Sequence, residues 1–214
     1  MPALPIFPLP STVVFPGMHI PLYVFEARYR RLVSYCLEEG LEHFIISLHS
    51  AKGLDNSQPF YTVGTLIKIL DVSENPDGTY ELMGYGQEKC QISVVKQERH
   101  AEPDGNERIL YFSEKQELPL KRDDPNAEVL AAWDALEGFK RYAKVFFPKE
   151  TFLKIDELVP EDLLLQASFI AANIRILADD RQRLLEASSL TNRFMLTQAF
   201  MEEHLAAHKP PKDL

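Results

Sequence analysis

Residues capable of chemistry are present in this chain, but few are spaced to act together. His204 and His208 stand four apart, an interval that sets two imidazoles on one helical face. A metal there would need further ligands and a supporting shell. The pair directly precedes Lys209-Pro-Pro211, so it reads as the solvated end of a helix. His19, His43 and His49 fall on strand-like segments and read as core or edge residues, and His100 lies in a polar loop. Asp123-Asp124 and Asp179-Asp180 occur where helices begin, as caps and dipole partners do. Glu38-Glu39, beside a helix C-terminus, reads as a solvated face. A nucleophilic Cys36 would require a base and an electropositive pocket; its place on an apolar stripe instead predicts a buried thiol.

Common catalytic and phosphate-binding signatures are missing. No glycine is followed by lysine, which excludes the phosphate-cradling G-x-x-x-x-G-K-[ST] loop. There is no G-x-S-x-G elbow and no H-E-x-x-H. Gly84 and Gly86 form G-x-G without a third glycine and within a strand hairpin. No catalytic residue, metal site or cofactor is therefore expected. Two aromatic pairs are candidates for contact with a peptide: Phe60 and Tyr61, at the exit of the polar loop Ser50–Pro59, and Phe146 and Phe147, at a helix end. Such a surface would take apolar side chains; packing inside a core is the competing role for both pairs.

The composition narrows the class further. Of 214 residues, 23 are Lys or Arg and 32 Asp or Glu, giving a net charge of −9. Residues 1–118 carry 10 basic and 16 acidic groups, and residues 119–214 carry 13 and 16, so neither half is basic. A nucleic-acid reader needs cations to displace counterions from phosphates. Two cysteines, Cys36 and Cys90, support neither a disulfide framework nor a zinc site and suit a reducing compartment. Six prolines interrupt the first 21 residues, and the first cation is Arg28, which is no secretory-signal pattern. The apolar stretch Leu163–Leu177 is broken by Gln166, Asn173 and Arg175, so no membrane span is expected and the compartment reads as cytoplasmic.

The elements follow from punctuation and period. Leu4–Leu9 and Met18–Val24 are extended, and their prolines predict edge or bent strands. Tyr29, Leu32, Val33, Cys36 and Leu37 make one helical stripe over Glu26–Glu39, ended by Gly40. Strand patterns return at His43–His49, Phe60–Ser73, Thr79–Tyr85, Cys90–Gln97 and Arg108–Leu118, with an Asn75-Pro-Asp-Gly78 turn. Gly64, Gly84 and Gly86 suggest bulges or tight bends. Beyond Pro119 the pattern is helical. Asp124 is expected to cap a helix with Pro125 at its first position, running to Pro148. A second helix is expected from Pro160 to Leu177, a short one at Arg181–Ala187 capped by Asp179 or Asp180, and a last one capped by Ser188 or Ser189. Strands followed by helices indicate an α+β fold of two subdomains, 1–118 and 119–208, with a flexible tail at 209–214.

The N-terminal motifs add a resemblance. Leu4-Pro-Ile-Phe-Pro-Leu9, Val14-Phe-Pro-Gly17, Ile20-Pro-Leu22 and Phe25-Glu-Ala-Arg-Tyr-Arg30 resemble the opening signature of the Lon substrate-binding (Lon N-terminal) domain family. Val63-Gly-Thr-Leu-Ile-Lys-Ile69, Pro76-Asp-Gly78, Tyr80–Gly86 and Asp180–Ser189 are similar to its later motifs. The resemblance implies a PUA-like β pseudo-barrel carrying one inserted helix, followed by an all-helical subdomain. It also implies a stand-alone, non-catalytic module without ATPase or peptidase parts, one that binds unfolded or degron-bearing polypeptides or serves as an adaptor in proteolysis. RNA binding is the alternative, because PUA-like barrels often contact RNA; its densest basic group would be Arg28, Arg30 and Arg31.

Overall fold

The computed structural model describes residues 3–50, 59–101 and 107–208. The loop interior at 51–58, the side chain of His100 and the tail at 209–214 lie outside the described residues. The chain divides into two compact units, Met1–Pro119 and Leu120–Leu214.

The first unit holds β1 (Leu4–Leu9), β2 (His19–Val24), α1 (Ala27–Glu38), β3 (His43–Leu48), β4 (Val63–Glu74), β5 (Tyr80–Ala101) and β6 (Glu107–Glu117). The sheet order is β2-β5-β4-β3-β1-β6, and β5 also pairs with β6. That last pairing closes the ring β1-β3-β4-β5-β6 and leaves β2 hanging on β5 as an open edge. Closure is possible because β5 is 22 residues long: residues 80–91 pair with β4, and residues 90–101 pair with β6. The period-2 pattern thus gives a mixed, pseudo-barrel sheet in which, among the described residues, only the β1–β3 pair of strands is parallel.

Alternation along the strands sorts side chains onto two faces. Phe7, Phe44, Ile46, Ile67 and Phe112 join the α1 stripe of Tyr29, Leu32, Val33 and Cys36 in one core. Their sequence neighbours Ile6, Ile45, Leu66 and Tyr111 form a second core with Phe60, Cys90 and Ile92. Helix α1 ends as expected: Gly40 adopts φ +63°, while its N–H and that of Leu41 bond the carbonyls of Leu37 and Cys36.

Two strand expectations change. β1 is not an edge strand, although it holds Pro5 and Pro8. It pairs with β6 only through Leu4–Ile6 and with β3 only through Ile6–Leu9, so each proline has a strand on one side alone. The two strands expected at Thr79–Tyr85 and Cys90–Gln97 are one continuous β5. Gly84 and Gly86 do not break it; a Cβ on Gly86 would stand 2.6 Å from the Phe15 carbonyl oxygen, so glycine serves a close backbone approach there.

The second unit holds α2 (Pro125–Phe146), α3 (Lys149–Phe152), α4 (Ile155–Leu158), α5 (Leu163–Asn173), α6 (Ala178–Glu186) and α7 (Leu190–Ala207). Asp124 caps α2, accepting from the N–H groups of Asn126 and Ala127 at 3.0 and 3.1 Å, with Pro125 in the first turn. Ser189 caps α7 through Asn192 N–H. Asp162, not Pro160, opens α5, and the helix stops at Asn173. α6 begins at Ala178 with no side-chain cap, leaving Asp179 and Asp180 inside its first turn. Tyr142, Phe139, Phe194, Ile170 and Leu190 are wholly buried and form the centre of this unit.

Candidate functional site: the open edge of the sheet

The aromatic residues singled out in the sequence fall in different units, Phe60 and Tyr61 in the first and Phe146 and Phe147 in the second. Phe60 is 1 % exposed. It bridges to His49 and packs edge-on against Tyr111 at 5.1 Å, within the core. Tyr61 is half-buried, and its carbonyl accepts from Ser47 Oγ at 2.7 Å. Phe146 and Phe147 are half-buried in the other unit. Phe146 stacks on His204 at 4.6 Å, and Phe147 meets Phe139 edge-on at 5.7 Å. His204 is correspondingly no solvated residue: its Nδ1 lies 3.1 Å from Tyr142 Oη, and burial with the neighbouring His208 and Arg175 lowers its pKa. His208 is exposed and donates to the His204 carbonyl. Among the described residues no three His, Cys, Asp or Glu side chains converge on a metal position.

A different surface presents the features a binding site requires. Among the described residues β2 pairs with β5 alone, through His19↔Tyr85 to Val24↔Tyr80. Pro21 has no N–H, so the Pro21↔Met83 pair cannot exchange hydrogen bonds and its polar groups face away from β5. By alternation the N–H and C=O groups of His19 and Tyr23, with the Pro21 carbonyl, also face the open side. The Met18 carbonyl, which accepts from Gly86 N–H, keeps this register. An edge of this kind is a template for another strand.

Side chains on one face of this edge are both apolar and exposed. Tyr23 is 58 % exposed and Phe25 62 %, with ring centroids 6.1 Å apart. Cross-strand rows set Tyr23 beside Glu81 and Ser73, and Pro21 beside Met83 and Asp71. The rows line an open groove of about 520 Å³. A smaller hollow of about 120 Å³, lined by Phe7, Leu9, Pro10, Val24 and Phe25 among others, borders the same strand. Tyr29 anchors the base of α1 beneath it by donating to the Pro8 carbonyl. Burial pushes the Tyr29 hydroxyl up to about 12, which keeps it a neutral donor.

Neither cysteine is activated. Cys36 and Cys90 are buried free thiols pushed up to about 12, chiefly by burial, and thiols so shifted are poor nucleophiles. Arg193 is also buried; its guanidinium donates to the Leu184 and Leu185 carbonyls at 3.0 and 3.3 Å and so closes the end of α6. The sequence carried no signal for the Tyr23–Phe25 surface beyond the edge-strand proline at position 21.

A closed five-strand ring with an open sixth strand and one inserted helix, joined to a helical unit, defines an α+β domain of the pseudo-barrel kind. Residues 3–203 match the family model of the ATP-dependent protease La (LON) substrate-binding domain, and the chain belongs to that family. It is 30 % identical over 209 residues to the Lon protease of Escherichia coli (strain K12), covering 94 % of this chain and 25 % of that protein. It is 30 % identical over 200 residues to the Lon protease of Xanthomonas oryzae pv. oryzae, covering 90 % and 22 %. The chain thus spans about a quarter of the length of these relatives. Among solved structures, the N-terminal domain of Mycobacterium avium complex Lon protease superposes with a TM-score of 0.69 at 17 % identity, covering 95 % of this chain and all of that one. A Lon N-terminal domain protein from Xanthomonas campestris gives 0.55 at 24 % identity, covering 98 % and 100 %. Both share the fold. Among the described residues no helix is long and apolar enough to cross a membrane.

Proposed function

We propose that this chain is a non-catalytic module that grips exposed segments of other polypeptides, unfolded or degron-bearing, and delivers or regulates them in proteolysis. The observation that carries this reading is the open edge of β2 with Tyr23 and Phe25 exposed beside it, in a member of a substrate-binding family. Main-chain groups supply affinity by strand addition, and the aromatic pair supplies apolar contact. The two buried free thiols fit a reducing, cytoplasmic setting. RNA binding is disfavoured by the state of its best cations. Arg28 pairs with Glu26 at 3.0 Å, Arg31 pairs with Glu38 at 2.9 Å, and Arg30 reaches the Gly78 carbonyl at 3.4 Å.

The test is binding of a permanently unfolded polypeptide and of its native form, measured by fluorescence anisotropy. The unfolded form is expected to bind and the native form not. Tyr23→Ser with Phe25→Ser should weaken binding at least tenfold, a loss of about 1.4 kcal/mol, with unchanged circular dichroism. Equal affinity of the double variant removes the site. Turnover of any polypeptide by pure protein, with or without ATP, removes the non-catalytic reading.

A further inference from the structure

The open face carries a charge pattern as well as an apolar one. Asp71 and Glu81 are exposed on it, one from β4 and one from β5, and they occupy adjacent cross-strand rows. Residues placed diagonally in this way lie about 7–8 Å apart. Among the described residues neither carboxylate has an ion pair, whereas other carboxylates of this unit, including Glu26, Glu38, Glu88 and Glu98, do. The basic groups on the same face, Lys68 and His19, stand in the next row with Tyr85. The groove lined by Pro21, Tyr23 and Met83 is therefore apolar, with one carboxylate lacking an ion pair in each of its two rows, Glu81 beside Tyr23 and Asp71 beside Met83.

Resting on the polypeptide-binding reading above, we propose that the edge of β2 selects extended segments in which a Lys or Arg stands among apolar or aromatic residues. A strand added to β2 lies two strand spacings from β5, about 9.6 Å. A long cationic side chain projecting from it on the Pro21–Tyr23 face crosses the Tyr23 ring, where a cation is attracted to the aromatic face, and meets Glu81 reaching back from β5. Its neighbours two residues away lie on the same face and rest against Pro21 and Met83. A carboxylate at the central position faces Glu81 instead, with Asp71 one strand further on, and is repelled. Charge here discriminates among segments, while the aromatic pair and the strand edge hold them all.

Three unstructured peptides of one apolar sequence, with Lys, Gln or Glu at the central position, test this by anisotropy at low and high salt. The expected order is Lys, then Gln, then Glu, with about tenfold between the first two, and the gap should shrink as salt screens it. Asp71→Asn with Glu81→Gln, both on exposed positions, should erase the order, bringing the Lys and Glu peptides to the same affinity. Asp71→Lys with Glu81→Lys should invert it. Equal binding of all three peptides to every form overturns the charge selection and leaves the polypeptide-binding reading standing. Failure of all three to bind the unaltered protein overturns both. A concentration-dependent dimer that Tyr23→Ser disperses would show the edge to be filled by a second copy, and this too overturns the proposal.

Discussion

Single residues carry two kinds of constraint in this chain, steric and electrostatic. At Gly86 a methyl group would collide with the Phe15 carbonyl, and at Gly64 with the Ile46 carbonyl, at 2.6 and 2.5 Å. Gly86→Ala must push two backbone segments apart and is expected to lower stability by about 1–3 kcal/mol, read as a lower denaturant midpoint at unchanged slope. The electrostatic constraint sits in the helical unit. Tyr142 Oη accepts from Arg175 N–H at 2.8 Å and reaches His204 Nδ1, so the fold favours a neutral imidazole. With the pKa of His204 lowered from its ordinary 6.5, the unfolded chain binds the proton more readily. Stability from this group is present above pH 6.5 and is lost as pH falls through the lower, folded value. Glu128 has the same sign: the hydrogen bonds from Arg122 and then from Asp123 N–H hold its carboxyl below the ordinary 4.5. Its share is lost only at more acid pH. Thermal melts from pH 8 to 3 should therefore fall in two steps, and His204→Gln should remove the first alone. Superimposable profiles between pH 5 and 7 would contradict this role. Asp124 was readable as a cap, and the cap of α7 was narrowed to Ser188 or Ser189, because residue type and position carry that signal; His204 was not readable, because its partner Tyr142 lies 62 residues away.

At the scale of elements, period and punctuation located most segments, and topology supplied what they could not. The α1 stripe with Gly40 and the Asn75–Gly78 turn are local signals and formed where expected, Gly78 at φ +74°, except that Leu37, expected on the stripe, is exposed. The four-residue helices α3 and α4 span barely one turn each and leave no period to read. Prolines in β1 suggested an edge that its staggered pairing does not give, whereas Pro21 in β2 does mark one. A proline on an open edge withholds one donor and hinders edge-to-edge pairing. Pro21→Val restores that donor. It is expected to raise self-association, seen as a concentration-dependent increase in sedimentation coefficient; an unchanged coefficient at high protein concentration would contradict the assigned register.

For the whole molecule, the two units each own a core and a set of capped elements, and we propose that residues 1–118 fold without the rest. A chain ending at Pro119 should keep the β-sheet circular dichroism of the first unit and unfold cooperatively. Loss of that signal would show that the sheet depends on the helices. The central claim belongs to this unit and is a claim about backbone as much as side chains. Site-resolved amide hydrogen exchange, with and without a saturating unfolded polypeptide, tests it most directly. Strand addition predicts slowed exchange at His19 and Tyr23, whose N–H groups face the open side, and little change at Leu22, already bonded to β5. Unaltered exchange at His19 and Tyr23 in the formed complex, with protection appearing instead around Phe146 and Phe147, would contradict it.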